Sequence, residues 1–295
     1  MQVFTAASCA RHEPGLGHPE RPARLAAVVA ALVVTPGITL VEAAPAALEE
    51  VGSRHGCAYL EQIIARSSGG GDFGPDTPVG PGSWEATLGA AGAALAALRH
   101  AHTGGGHTFA AIRPPGHHAL AESGMGFCLV NHVAVLASAA RVLGRQRVLI
   151  VDWDVHHGNG TQALVAQETD TRFVSMHQWP WYPGTGAMAE RGMGNCFNVP
   201  LPAGLSGAAY VAALWDGITA ATKDWSPDVI LLSAGYDAML GDPLGGFTLE
   251  PADYATWVVR LRERFPTVPL VALMEGGYRP DRLAAGVIAT VGALA

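Results

Sequence analysis

The chain is poor in several things at once. Its 295 residues include four cysteines, Cys9, Cys57, Cys128 and Cys196, none in C-x-x-C spacing. That excludes a zinc knuckle and gives no basis for a disulfide framework. It carries one lysine, Lys223, against 17 arginines; with so much alanine and glycine, this reads as the coding bias of a GC-rich bacterial genome. Charged residues make up 15% of the chain and the formal net charge is −7, with no basic run, so a nucleic-acid partner is not expected. No apolar stretch reaches about 18 residues without a charge or a breaker. The opening "MQVFTAASCARHEPG" has no apolar core behind a basic start. The expectation is a cytoplasmic protein with neither a membrane span nor a leader.

What is present is a hydrophobic content of 49%, enough for one large α/β domain, read here as a single unit over 1–295. Apolar residues at helical spacing predict helices over 21–32, 83–101 (Ser83 as N-cap), 131–144, 210–225 and 253–265. Compact β-rich runs predict strands at 107–113, 147–154, 171–178, 228–238 and 268–278. The alternation implies βαβ units, a largely parallel sheet and helices on both faces. Two long Gly/Pro-rich loops, 69–82 and 180–195, interrupt it. The second is a candidate for shaping a site or for an oligomer contact.

In an open parallel sheet, ligands bind beyond the carboxyl ends of the strands. Five predicted strands deliver polar groups there: Arg113-Pro-Pro-Gly-His117-His118; Asp152, Asp154, His156 and His157; His177; Tyr236, Asp237 and Asp242; and Glu275-Gly276-Gly277-Tyr278. An isolated Asp-x-Asp usually satisfies loop amides, and a lone His-His pair is usually structural. Five such ends together are not explained by packing. Asp152, Asp154 and His156 fall on one face of an extended chain. Asp154 and His156 are candidate ligands of zinc or another divalent first-row metal. A catalytic zinc needs a third protein ligand and an open position; Asp242, in a "GDP" turn, is the best candidate. His157 points the other way, and His177 reads as core or wall.

These pieces resemble the histone deacetylase superfamily, in particular its class II branch with the bacterial histone-deacetylase-like amidohydrolases and acetylpolyamine amidohydrolases. The matching segments are "GHPERPARL", "RPPGHHA", "GMGFCLVNHVA", "VDWDVHHGNGTQ", "YPGTG", "SAGYDAMLGDPLGG" and "EGGY", in the family's order from 17 to 278. The resemblance implies the arginase/deacetylase fold, an eight-stranded, largely parallel sheet. It implies zinc-dependent hydrolysis of an N-acetyl amine, acetyl-lysine or alternatively an acetylpolyamine, with one zinc per chain held by Asp154, His156 and Asp242. By the same resemblance His118, held by Asn159, is the general base. His117, oriented by Asp152, is its electrostatic partner, and Tyr278 is the oxyanion donor. Class I relatives carry an aspartate where Asn159 stands. Asp152 and Ser175, with carbonyls of Asp154, His156 and Met176, resemble a structural potassium site. Gly126, Phe127, Tyr182, Leu249 and Gly276 resemble walls of a narrow channel. Leu249 stands where polyamine-selective relatives carry a glutamate, and Arg24 lines an acetate exit. Two rivals differ in class. A binuclear manganese ureohydrolase needs further bridging carboxylates, and Gly158 stands where one is required. A non-catalytic acyl-amine sensor is expected to lack a ligand, the tandem histidines or the tyrosine.

Overall fold

A computed structural model describes all 295 residues. In chain order the strands are β1 Gln2–Thr5, β2 Thr39–Glu42, β3 Gly71–Asp72, β4 Pro78–Val79, β5 Thr108–Ala110, β6 Val148–Asp152, β7 Thr171–Gln178, β8 Cys196–Leu201, β9 Val229–Ala234 and β10 Leu270–Met274. The helices are α1 Ala23–Val33, α2 Leu48–Val51, α3 Cys57–Gly69, α4 Ser83–His102, α5 His132–Val142, α6 Asn159–Val165, α7 Gly207–Ala221, α8 Pro251–Arg264 and α9 Pro280–Leu294. Eight strands form one sheet in the order β2-β1-β5-β10-β9-β6-β7-β8, and every pairing in it is parallel. β3 and β4 make a small antiparallel hairpin inside the predicted 69–82 loop.

The central strands β5, β6, β9 and β10 are buried along their whole length. That is why they read as continuous apolar runs rather than as alternating ones. One layer of helices runs α1-α9-α8-α7, and the other is built on α4 and α5. Each layer lays an apolar face on the sheet. α5 begins where the Asn131 side chain accepts from the Ala134 N–H at 3.0 Å. Ser83 is not the cap of α4. Gly82, in a left-handed conformation, holds that position. The Ser83 hydroxyl accepts instead from the Gly80 N–H and lies 2.8 Å from His12.

The strand order sets the position of the site. From β6 the chain steps outward through β7 and β8, then returns to insert β9 and β10 between β6 and β5. Strand order reverses at this inner group, and such a switch point opens a crevice at the carboxyl ends. The loops leaving β5, β6, β9 and β10 all empty into it. No helix is long and apolar enough to cross a membrane.

Candidate active site

A cavity of about 250 Å³ opens over these four strand ends. Its depth follows from the exposure of its lining. Trp181 and Tyr182 stand at the surface, 46% and 38% exposed, while His118 and His156 lie at the floor. Half of its lining is apolar.

At the floor, Asp154, His156 and Asp237 bring one donor atom each within 4.8 Å of one another, all from buried residues. His156 Nδ1 lies 3.1 Å from Asp154 Oδ1 and 3.1 Å from Asp237 Oδ2. Backbone amides fix both carboxylates. Asp154 accepts from the His156 and Gly276 N–H groups, each at 2.9 Å, and Asp237 Oδ1 accepts from the Val155 N–H at 2.9 Å. Burial, followed by the charge of Asp154, pushes Asp237 up to about 7. Two fully buried carboxylates facing one imidazole are costly unless a cation joins them. Their O/O/N donor set suits a divalent first-row metal. They form the one His/carboxylate group of this closeness in the chain.

Asp242, the third ligand that the resemblance implies, lies close enough for its charge to act on Asp237 and for that of Asp154 to act on it. Its Oδ2 accepts from the Tyr278 backbone N–H at 2.7 Å and its Oδ1 from the Leu244 N–H at 3.0 Å. The "GDP" turn presents its carboxylate to backbone amides. Asp237, directly after β9, is a further buried acid at the floor, which the motifs did not single out as a ligand.

Above the cluster stand the tandem histidines. His118 Nδ1 lies 2.7 Å from Asn159 Oδ1. An amide oxygen only accepts, so Nδ1 carries the proton and Nε2 keeps its lone pair. Burial, then His117 and His156, holds this imidazole well below its ordinary value. His117 Nδ1 lies 2.9 Å from Asp152 Oδ2. Burial alone would lower it, but Asp154 and Asp152 outweigh burial and raise it well above the ordinary range. The loop carrying both rings is held from below by Glu275, whose Oε2 accepts from the Gly116 and His117 N–H groups at 2.6 and 3.2 Å. Tyr278 lines the cavity from the opposite side. Its ring sits between Arg24, 4.8 Å from its centroid, and Phe127, edge-on at 5.5 Å. Burial drives its hydroxyl well above its usual range, so it stays protonated and donates.

Phe127 and Tyr182 wall the cavity as expected, Tyr182 edge-on to His118 at 5.2 Å. Gly126 is glycine for two reasons: its φ is +54°, and a Cβ there would strike the His118 ring. Phe127 follows with φ +67°, rare for a bulky residue, and is held by its N–H donating to Thr77 Oγ1 at 3.0 Å. Two expected wall residues lie elsewhere. Leu249 is fully buried away from the cavity, pairing across a bridge with Met239; Pro243 and Leu244 form that wall instead. Gly276 lies beneath the floor, where a Cβ would collide with the Asp237 carboxylate. Arg24 is buried, donating to the Gly277 and Glu275 carbonyls and to Glu20. The β6–β7 register puts Asp152 opposite Ser175, whose hydroxyl lies 3.0 Å from His177 Nδ1. His157 faces away from the cavity, bonded to Thr185 and Gln162. Asp76 and Trp181 are lining residues that the motifs did not flag.

Residues 18–294 match the histone deacetylase domain. The chain belongs to the histone deacetylase family. It is 40% identical to an uncharacterized protein of Synechocystis over 99% of this chain and 98% of that one. It is 38% identical to the histone deacetylase-like amidohydrolase of Pseudomonas aeruginosa over 89% of this chain and 73% of its relative. Among solved structures, the HDA15 HD domain aligns at a TM-score of 0.94 and 35% identity, covering 100% of this chain and 90% of its own. An acetylpolyamine aminohydrolase from Burkholderia pseudomallei aligns at 0.89 and 26%, covering 100% and 98%. The eight-stranded parallel sheet is thus this deacetylase family's fold, and the cavity sits in a chain related to amidohydrolases over nearly its whole length.

Proposed function

We propose that this histone deacetylase family member hydrolyses the acetyl amide of a primary amine, releasing acetate and the free amine. One observation carries the reading: the Asp154/His156/Asp237 donor cluster lies at the floor of a narrow, half-apolar cavity, flanked by His118 and Tyr278. Zinc, when held by Asp154 and His156 together with Asp242 from the turn after β9, would supply a Lewis acid that polarises an amide carbonyl and acidifies a water. The chain's own groups do the rest. His118 Nε2, unprotonated, takes the proton of the attacking water and hands it to the departing amine. The protonated His117 and the Tyr278 hydroxyl donate to the oxygen where negative charge develops. Phe127, Tyr182 and Leu244 fit a straight aliphatic chain and exclude side water. No nucleophilic serine or cysteine is needed. A monovalent cation between Asp152 and Ser175, with the carbonyls of Asp154, His156 and Met176, belongs to the same reading.

Asp76 favours a second reading of the substrate. A carboxylate at the mouth of an aromatic-lined cavity suits a small acetylated amine with a distal ammonium group. The test is turnover of the zinc-loaded protein on acetyl-lysine peptides and on monoacetylated diamines, beside Tyr278→Phe. Loss of one oxyanion donor predicts a fall in kcat of about 10²–10³ with little change in KM. Full activity in Tyr278→Phe, or no turnover of any acyl amine, defeats the proposal.

A further inference from the structure

Phe127 is the one non-glycine residue of the chain at positive φ, so one wall of the cavity is built on backbone that its own sequence disfavours. The bond that holds it comes from 50 residues away. Its N–H donates to Oγ1 of Thr77 at 3.0 Å, and the same hydroxyl donates to Oδ1 of the neighbouring Asp76 at 2.8 Å. A hydroxyl has one proton to give and two lone pairs to receive, so it makes both bonds at once. The carboxylate orients the hydroxyl's hydrogen and leaves a lone pair facing the Phe127 amide. Thr77 is 1% exposed, and its backbone is fixed in turn. The Phe73 N–H donates to its carbonyl at 3.0 Å and its own N–H to the Gly74 carbonyl at 3.2 Å, closing the β3–β4 hairpin. Phe73 is seated on α3, edge-on to Tyr59 at 5.1 Å, and the Tyr59 hydroxyl donates to the Leu129 carbonyl at 2.5 Å. The hairpin and the segment bearing Phe127 are thereby clamped together at two points.

We infer that Thr77 is a positioning residue, whose hydroxyl fixes the Phe127 wall and thereby selects an unbranched chain behind the acetyl amide. The inference rests on the deacetylase reading but not on which amine is the substrate. The Phe127 ring stands edge-on to Tyr278 at 5.5 Å and to His18 at 4.7 Å. A fixed backbone beneath it therefore sets a fixed ring against the substrate chain. Thr77→Val keeps the shape of the side chain and removes both bonds. The Phe127 N–H is then left without a partner, the positive φ loses one of the contacts that hold it, and the ring gains room to shift. A methyl branch on the carbon that bears the acetamide, excluded by the parent wall, then fits. Thr77→Ser keeps the hydroxyl and with it the wall.

The test compares two acetylated amines on the zinc-loaded full chain, one straight and one with a methyl branch beside the acetamide nitrogen. In Thr77→Val the kcat/KM preference for the straight amine should fall roughly tenfold, the discrimination that one methyl group commands in a fitted pocket. Amide exchange at Phe127 should speed up by about tenfold or more. Thr77→Ser should restore both to the parent's values. A merely structural loss lowers turnover of both amines alike and leaves their ratio where it was. An unchanged ratio, unchanged exchange at Phe127, or a serine variant that behaves like valine each overturn the inference. Thr77→Ala carries the same comparison if the valine form does not fold. Should the parent turn over no acyl amine, the deacetylase reading falls, and exchange at Phe127 in parent, valine and serine forms still decides whether the hydroxyl holds the wall.

Discussion

The two ends of one sheet use the same side chains in opposite ways. At the amino ends of β6 and β9, Arg147 and Asp228 pair at 2.9 Å where both reach solvent, 46% and 27% exposed. The arginine's hydrogen bond holds Asp228 below the usual carboxylate range. At the carboxyl ends of the same two strands, Asp152, Asp154 and Asp237 are fully buried, and burial drives Asp237 up to about 7. Solvent makes the first arrangement cheap and of little consequence. The second is expensive and persists only because backbone amides and histidines share its charge. A carboxylate in a fold is informative in proportion to what it costs to keep there.

Removing Asp154 attacks the costly end most directly. Asp154→Ala should lose stoichiometric zinc and drop turnover beyond the roughly 10–100-fold that loss of a supporting residue costs. Zinc retained at one per chain by this variant, measured by elemental analysis, would erase the contrast. A gentler change sharpens it. His118 sits well below its ordinary value because of burial and its histidine neighbours, with a neutral amide behind it. Asn159→Asp adds a negative charge and raises that value. A base must be unprotonated to act, so His118 stays blocked up to a higher pH. The acid limb of the kcat profile should then move upward while the enzyme remains active; an unmoved limb contradicts this electrostatic account. At the inexpensive end, Arg147→Ala should leave zinc content, turnover and melting temperature unchanged within error. A clear fall in melting temperature would show that this edge matters more than its exposure indicates.

Much of this was legible in the order of residues, and the exceptions have physical causes. β7 matches its predicted span, 171–178, where Phe173, Val174 and Met176 carry the apolar signal between polar ends. β1 and β2 escaped notice at four residues each, and β8 because Pro200 sits in this edge strand, where its missing donor is tolerated. α9 hid behind the "EGGY" turn, its Pro280 start masking a regular apolar face. At the site, the hydrogen bonds that His118 donates to Asn159 and His117 to Asp152 lie where the motifs put them. Asp237 was not singled out as part of the floor, because its contacts with His156 and the Val155 amide join segments about 80 residues apart. Leu244 and Leu249 raise the same difficulty, since the facing of a loop side chain is decided by what packs beneath it. The hairpin inside 69–82 brings Asp76 to the mouth through contacts distant in the chain.

The positive φ of Phe127 has a consequence for what enters. A backbone in that region costs on the order of 1–3 kcal/mol for a non-glycine residue and persists only where its surroundings over-determine it. Here the bond to Thr77 and the contact of Gly126 with the His118 ring do so. The aperture beside the tandem histidines is therefore set by main chain rather than by a rotamer. On this side a wider acyl group must reshape the segment of Gly126 and Phe127 that packs against the His118 ring, and so disturb the very base that would cleave it.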